Sequence, residues 1–315
     1  MELTGLHHVT AVTRTAAANV QFYTQTLGMR LVKKTVNQDD VSAYHLFYGD
    51  AVGHAGTEMT FFDWRQAAPN RGGVGAVSAT ALRVGSPEAL TWWQARFDSL
   101  GIQHGEVVEV AGRQTLRFTD LEGQALSLVA DDGAAGGIPW DGSTVPVEQG
   151  IQGLDGVTLT VRRLAPTADV LVETLGFRQT REYRAEGDRS VVVFETGAGG
   201  PGTEVHVAER PDLPPVRPGA GGIHHVAFRT PDATEQQEWR RHLVRAGLPV
   251  SEQIDRYYFQ SLYFREPNGI LFEIATDGPG FATDEDAAHL GERLALPPFL
   301  EPRRAQIEAG LRPLG

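Results

Sequence analysis

Residues 5–32, GLHHVTAVTRTAAANVQFYTQTLGMRLV, predict a β-strand, an amphipathic helix and a second strand. The stretch opens with the apolar–polar alternation of a half-buried strand, and an Ala-rich segment follows. Gly28 then stands where a left-handed residue commonly ends a helix. The same order recurs three times, with a glycine after each helix, at residues 75–103, 153–180 and 222–250. The chain is therefore built from four copies of one unit.

Further strand patterns after each opening complete a strand–helix–strand–strand–strand unit of about 60 residues. The sequence thus predicts an α+β fold of four βαβββ units, paired into curved, cup-like mixed sheets. The longest linker, rich in Gly and Pro, ends near residue 150. We expect an N-terminal domain over 1–150 with units one and two, and a C-terminal domain over 151–280 with units three and four. Residues 281–315 form a tail with one helix, at 301–311.

Composition narrows the function. The formal net charge of −12 argues against nucleic acid and an anionic membrane as partners. The sequence contains no apolar run of about 20 residues that would span a membrane. Its first residues lack the pattern of a signal peptide, so we expect a cytoplasmic protein. Cysteine is absent, which excludes disulfides and thiolate metal ligands, and any transition metal must be held by His, Asp or Glu.

Two positions of the repeat carry the residues that bind metals. Aligning the openings of the four units places at one position His8, Ser78, Gly156 and His225. Aligning the last strands places at a second position Thr60, Ser127, His206 and Glu273. Units one and four then contribute two imidazoles and a carboxylate, whereas units two and three contribute one imidazole. We predict that unit one pairs with unit four, giving one metal cup and one cup without metal.

Two histidines and a carboxylate leave up to three metal positions open, as in non-haem Fe(II) sites that bind substrate and O₂ together. The same ligands suit Mn(II), Co(II), Ni(II) and Zn(II). Glu273 lies in an apolar string, where a carboxylate without a partner would be costly. Neighbours on a strand point to opposite faces, so the alternation leaves open which histidine of His7–His8 and of His224–His225 is the ligand.

The chain resembles the vicinal oxygen chelate superfamily, and within it the ring-cleaving dioxygenases that open hydroquinones. The resemblance covers nearly the full length. It is carried by LHHVTAVT at 6–13, YHLFYGDAVGHAGTEMTFF at 44–62, IHHVAFRTPD at 223–232, DRYYFQSLYFREPNGILFEIATDGPGF at 255–281 and TDED at 283–286.

This resemblance implies Fe(II), sometimes Mn(II), on the second histidine of each pair and on the carboxylate, that is, on His8, His225 and Glu273. It implies a small aromatic diol, a hydroquinone or a catechol, and O₂ as the molecules bound. It also implies roles near substrate or O₂ for Arg256 and Tyr263. Hydrogen-bonding neighbours of the site would be His7, Thr10 and His224. The ring substituents stay open, as does the oligomeric state, with a homo-oligomer among the alternatives.

Two other functions fit the same fold. A glyoxalase-type isomerase needs a fourth protein ligand, usually a Glu where this chain has Thr60, and we place Glu58 on the wrong face of that strand. A metal-free binding module would have no reason to keep the three ligands. His45 and His54 lack repeat support, and the acidic run 284–286 predicts the start of a helix.

Overall fold

The computed structural model describes residues 1–185 and 187–314, and all four units have the predicted order of one strand, one helix and three strands. The strands of unit one are β1 (Leu6–Thr13), β2 (Arg30–Asn37), β3 (Asp40–Gly49) and β4 (Glu58–Asp63). Those of unit two are β5 (Ala76–Val84), β6 (His104–Val110), β7 (Arg113–Thr119) and β8 (Ala125–Ala130). Those of unit three are β9 (Gly153–Val161), β10 (Arg178–Ala185), β11 (Arg189–Glu195) and β12 (Glu204–Glu209). Those of unit four are β13 (Ile223–Thr230), β14 (Ile254–Asp255), β15 (Gln260–Arg265) and β16 (Leu271–Thr276).

One helix follows the first strand of each unit. The helices are α1 (Ala16–Gln21), α2 (Pro87–Leu100), α3 (Leu164–Asp169) and α4 (Ala233–Arg245). Helices α1 and α3 each continue as one π-helical turn, Phe22–Thr26 and Val170–Thr174. Among the described residues, no helix combines the length and apolar character needed to cross a membrane.

Glycines end the helices as the repeat predicts. Gly28, Gly101, Gly176 and Gly247 all have positive φ, of 71°, 66°, 76° and 78°. That backbone conformation is the left-handed one that a side chain disfavours and that lets the chain turn from helix into strand. In α2, the Ser86 side chain accepts from the backbone N–H of Ala89 at the other end, so both termini are capped.

The strands form two sheets of eight. One has the order β14-β15-β16-β13-β1-β4-β3-β2 and the other β10-β11-β12-β9-β5-β8-β7-β6. The first sheet joins units four and one, and the second joins units three and two, as the histidine pattern predicts. At each centre, the two opening strands pair antiparallel and each pairs parallel with the last strand of its own unit. The division near residue 150 remains a prediction, because each sheet takes one unit from each side of it.

The tail packs against unit one through a buried lysine. Lys33 on β2 is fully buried, and its Nζ donates to Asp284 at 2.7 Å and to Glu285 at 2.5 Å. The Tyr258 hydroxyl donates to Asp284 at 2.9 Å. The acidic run therefore does not begin an α-helix. Its first two carboxylates bind the lysine, and Asp286 caps a single 3₁₀ turn, Ala287–His289.

The helix predicted in the tail is present and shorter than expected. A 3₁₀ turn, Glu301–Arg303, leads into α5 (Arg304–Gly310). Ile307 of this helix is buried in a small apolar cluster with Val36, Leu296 and Leu300. The tail thus covers the outer strands of unit one.

Candidate metal centre

Three potential ligands come together on the central strands of the first sheet. His8 lies on β1, His225 on β13 and Glu273 on β16. In the antiparallel pair, His225 is opposite Thr10, and in the parallel pair Glu273 is opposite Ala227. Residues two apart on a strand share a face, so this register brings the three side chains to the same side of the sheet.

The donor atoms converge closely. His225 Nε2 and Glu273 Oε2 are 2.9 Å apart, His8 Nε2 and Glu273 Oε2 are 3.3 Å apart, and the two Nε2 atoms are 3.3 Å apart. All three residues are buried, and neither oxygen of Glu273 has a hydrogen-bond partner of acceptable geometry. Metal–ligand bonds of ~2.1 Å at right angles would place neighbouring donor atoms ~3 Å apart. The arrangement therefore fits a divalent metal bound by one face of the ion.

Electrostatics keep the carboxylate charged. Burial alone would raise the pKa of Glu273, but His8 and His225 outweigh burial and hold that pKa well below its ordinary value. Burial lowers the pKa of His225, an effect that Glu273 partly offsets. A charged carboxylate beside the His225 imidazole, whose pKa is lowered, is a donor set suited to a cation.

His7 determines which nitrogen of His8 faces the cluster. His7 Nε2 lies 3.0 Å from the carbonyl oxygen of Thr276, so this nitrogen carries the proton and donates. Burial, reinforced by His8, lowers the pKa of His7 to about 3, and the neutral ring keeps Nδ1 as an acceptor. His8 Nδ1, 3.0 Å away, must then donate to His7 Nδ1, which leaves the lone pair of His8 Nε2 directed toward His225 and Glu273.

The second histidine pair has the same geometry. His224 Nδ1 and His225 Nδ1 are 2.7 Å apart, and Nε2 of His225 faces Glu273. Burial, with His225 nearby, lowers the pKa of His224 to about 3. In both pairs, one histidine faces the cluster and its neighbour contacts the remote ring nitrogen. This contact distinguishes the members of each pair, which strand alternation alone left equivalent.

Thr60 occupies the position equivalent to Glu273 and is fully bonded to its neighbours. Its hydroxyl lies 2.8 Å from that of Thr10, opposite it on β1, and 3.0 Å from Nε2 of His45. Burial, followed by the charges of His8 and His225, lowers the pKa of His45 well below its ordinary value. The position that could supply a fourth metal ligand therefore carries a hydroxyl that already belongs to a hydrogen-bonded chain.

Tyr263 and Arg256 line the same pocket. Tyr263 lies opposite Glu273 in the register of β15 and β16, and its ring is 5.6 Å from that of His225. Burial, reinforced by Glu273, raises the pKa of Tyr263, so the phenol stays protonated at neutral pH. The Arg256 guanidinium lies 5.6 Å over the Tyr263 ring, and its Nη2 donates to Asp39 at 3.0 Å.

The pocket in front of the ligands is narrow and aromatic. Its volume is about 40 Å³, and Phe47, Phe62 and Phe259 form much of its wall. Pockets that hold small organic ligands typically exceed about 300 Å³, so a ring-sized ligand needs the rim to move. The rim includes the β2–β3 turn, with Asp39, and the segment that carries Arg256. The Gln38 side chain also donates to the carbonyl of Arg256, at 2.8 Å.

The second sheet differs from the alignment at one position. In the second sheet Ala79 lies opposite Thr158, just as His8 lies opposite Ala227 in the first sheet. Ala79, and not Ser78, is therefore the structural equivalent of His8. A bulge between Val77 and Ala79 shifts the register by one residue. Gly156, Ser127 and His206 line the corresponding pocket as expected.

Glu58 is not where the sequence analysis placed it. It shares the face of Thr60, since residues two apart on a strand point the same way, and it lies beside His8 in register. Its carboxylate lies 3.8 Å from His7 Nδ1, and burial raises its pKa well above the ordinary value. In the described parts of the chain, one further group of potential metal ligands therefore exists, comprising His7, His8 and Glu58.

Sequence reasoning missed several pocket residues. His45 and Phe47 alternate on β3, whose neighbour β4 carries Thr60, and this parity could have placed both in the cup. Phe259 contacts the rings of His7 and His8, with centroids 5.3 Å from each. It lies in a loop before β15, where no periodicity indicates an orientation.

Comparison with known proteins identifies the family of the chain. A family model described as the glyoxalase/bleomycin resistance protein/dioxygenase superfamily matches residues 5–128 and 153–274. The chain is 48% identical over 315 residues, all of both chains, to a Bacillus subtilis protein provisionally named ring-cleaving dioxygenase MhqA. It is 31% identical to chlorohydroquinone/hydroquinone 1,2-dioxygenase of Sphingobium indicum, covering 94% of this chain and 92% of that one. A crystal structure of a provisionally named dioxygenase from Bacillus subtilis superposes with a TM-score of 0.90 at 37% identity, covering 99% and 97% of the two chains.

Proposed function

Because the chain belongs to the glyoxalase/bleomycin resistance protein/dioxygenase superfamily, we propose that it is a ring-cleaving dioxygenase that opens a hydroquinone-type or catechol-type ring with O₂. Its metal would be Fe(II), with Mn(II) as the alternative, bound by His8, His225 and Glu273. Relatives named as ring-cleaving and hydroquinone dioxygenases support the reaction type. The reaction adds both atoms of O₂ to the diol and breaks one ring C–C bond, so it requires no external reductant.

The observation that carries this proposal is the convergence of three buried donor atoms 2.9–3.3 Å apart. Three ligands on one face of an ion leave up to three positions open, enough for a diol oxygen and O₂ together. The bound metal supplies Lewis acidity and electron transfer between the aromatic ring and O₂. An isomerase of this fold would use a fourth protein ligand, but Thr60 is committed to Thr10 and His45.

Protein side chains would orient the substrate. A hydroquinone carries its hydroxyls para to each other, so one of them can reach the metal and the other must be held by the protein. Tyr263, with its phenol protonated, can donate a hydrogen bond to a substrate oxygen. Arg256, held above Tyr263, places a positive charge beside the pocket, where it favours an ionised diol. The aromatic wall would exclude water and stack on the ring.

His7 and His224 would fix the ring orientation of the two imidazole ligands. Each lies within hydrogen-bond distance of the remote nitrogen of its neighbour, at 3.0 and 2.7 Å. Thr10 would hold Thr60 away from the metal position. The proposal is thus that the five non-ligand residues predicted from the sequence orient the ligands or the substrate.

The test is O₂ uptake after anaerobic loading with Fe(II), using a panel of hydroquinones and catechols. We expect uptake and a ring-opened product with at least one diol, and neither in Glu273→Ala. The matched control is His206→Ala, at the equivalent position of the second sheet, which should keep both metal and activity. If the loaded protein consumes no O₂ with any diol, yet isomerises a thiol adduct anaerobically, the isomerase function replaces the dioxygenase one.

A further inference from the structure

The second sheet keeps a cavity where the first sheet has its metal ligands. This second cup, between units two and three, has a volume of about 390 Å³, against about 40 Å³ for the metal pocket. Small residues create the space: Ala79 and Gly156 take the positions of His8 and His225, and Ala81 takes that of Thr10. A volume above about 300 Å³ is typical of pockets for small organic ligands.

The base of the second cup is a built polar network. Glu204, which is buried, accepts from Arg113 at 3.0 Å, from Arg181 at 2.7 Å and from His206 Nε2 at 2.7 Å. Arg113 also donates to both oxygens of the buried Asp155. A cup that had merely lost its metal would gain stability by filling with apolar side chains. Here charged side chains, most of them bonded to more than one partner, line the base instead.

Two groups of the network are directed to the cavity itself. His206 Nδ1 lies 3.1 Å from the hydroxyl of Tyr183, and both side chains line the cavity. Because Nε2 of His206 donates to Glu204, its Nδ1 accepts the Tyr183 proton when the ring is neutral. The phenolic oxygen of Tyr183 then has free lone pairs for a ligand hydroxyl. If the ring is protonated, Tyr183 can instead donate to a ligand.

The charge at the rim determines the class of ligand. Arg117 lines the cavity on β7, close enough to lower the pKa of Tyr183, although burial raises that pKa more strongly. Among residues 1–185 and 187–314, Arg117 has no carboxylate within ion-pair distance, unlike Arg113 and Arg181 below it. The chain as a whole is negative, so it is the local guanidinium at the edge of this apolar cavity that favours an anion with an apolar body.

We propose that the second cup is a separate binding site for a small organic monoanion with a ring-sized apolar body, its charged group at Arg117 and its body against Ala79 and Ala81. The site is independent of the metal and of the proposed dioxygenase reaction. Among the described residues, neither group of potential metal ligands lies in this cup, so the ligand would bind there without a metal.

Calorimetric titration of the 315-residue protein with benzoate tests this site, with benzyl alcohol as a neutral analogue. We expect saturable benzoate binding at one equivalent that persists unchanged in His225→Ala. Arg117→Ala should weaken it about tenfold or more, as expected for loss of a hydrogen bond to a charged group. Arg241→Ala, an exposed arginine on α4, is the matched control and should leave the affinity unchanged.

A further variant, Ala79→Leu, should fill the cup and abolish binding while metal content and O₂ uptake stay at the wild-type level. If Ala79→Leu does not fold, the exposed Arg117→Ala variant decides the test. The proposal is overturned by absence of saturable binding, by equal affinity for benzyl alcohol, or by binding that is lost in His225→Ala and kept in Arg117→Ala.

Discussion

Nε2 of His8 and Nε2 of His225 lie 3.3 Å apart although 217 positions separate the two residues in sequence. Each ring uses its other nitrogen to contact a neighbouring histidine, so both Nε2 atoms can present lone pairs to one point. Two lone pairs and a carboxylate at this distance repel one another unless a cation lies between them. This arrangement therefore predicts that a metal binds here, and that loss of either histidine or of the carboxylate weakens its binding.

Removal of one ligand should empty the centre without unfolding the chain. We expect His225→Ala and His8→Ala to lose metal affinity by more than the ~10–100-fold that follows loss of a ligand's hydrogen-bond partner. Metal content measured by elemental analysis, with circular dichroism as the folding control, checks this. Wild-type metal content in His225→Ala would show that the assignment is wrong.

His7 should act on metal binding through His8. Phe at position 7 removes the Nδ1 acceptor, so His7→Phe should weaken metal affinity ~10–100-fold. His7→Asn retains an acceptor close to the position of Nδ1 and should recover most of the affinity. Competition with a chelator measures both variants, and equal affinities for the two would contradict a role through the hydrogen bond at 3.0 Å.

Tyr263→Phe should keep the metal and the fold but slow turnover. A positioned proton donor typically contributes ~10²–10⁴-fold, so we expect a loss in kcat of that size with little change in metal content. Tyr44→Phe is the matched control, because the Tyr44 hydroxyl donates to the carbonyl of Arg312 and does not line the metal pocket. Turnover within twofold of wild type in both variants would make Tyr263 a structural residue only.

Lys33 should carry much of the stability of the tail. Lys33→Met leaves the Asp284 and Glu285 carboxylates without their buried cation, which typically costs 3–5 kcal/mol, so we expect about 3 kcal/mol or more in the free energy of unfolding. Lys34→Met is the matched control, since Lys34 is half-buried and donates to one backbone carbonyl, that of Glu292. Denaturant unfolding measures both, and comparable losses would contradict this role for the ion pairs.

Glu204 should make stability depend on pH in the acid range. Burial would raise its pKa, but bonds from His206, Arg181 and Arg113 outweigh burial and lower that pKa to about 2 from an ordinary 4.5. A lowered carboxyl pKa stabilises the folded state at pH above 4.5, and this stability, roughly 3 kcal/mol, is lost as pH falls toward 2. Glu204→Gln should therefore be less stable at neutral pH and lose less further stability between pH 4.5 and 2. Parallel stability curves for the two proteins would contradict this.

Much of the fold and of the metal centre could be predicted from internal repetition. The pairing of units one and four followed from His8, His225 and Glu273, because those residues have no purpose unless the units meet. Repetition could not distinguish Ala79 from Ser78, since a bulge shifts a strand by one residue without leaving a mark in the pattern. It also could not place Phe259, which lies in a loop of its own unit.

The remaining errors have separate causes. The acidic run at 284–286 satisfies the local rule for a helix start, but Lys33, 251 positions from Asp284, competes for its carboxylates. The face of Glu58 was predicted wrongly, although the period of two places it with Thr60. Strand alternation left the two histidines of each pair equivalent, and the bond from His7 to the Thr276 carbonyl, which bears on the orientation of His8, is also distant in sequence.

The order of the strands also determines when the protein can finish folding during synthesis. The sheet of units two and three is complete once residue 209 has emerged, whereas β1 has no antiparallel neighbour until β13, which begins at Ile223. Until then, the growing chain presents the edge of β1 with its backbone N–H and C=O groups unpaired, the kind of surface on which chains aggregate. The three-ligand site is incomplete before Glu273 is made. A chain interrupted between β13 and β16 therefore carries both histidines and leaves the edge of β13 that pairs with β16 open. Synthesis that stalls in unit four should therefore yield aggregated product, although the sheet of units two and three has already formed.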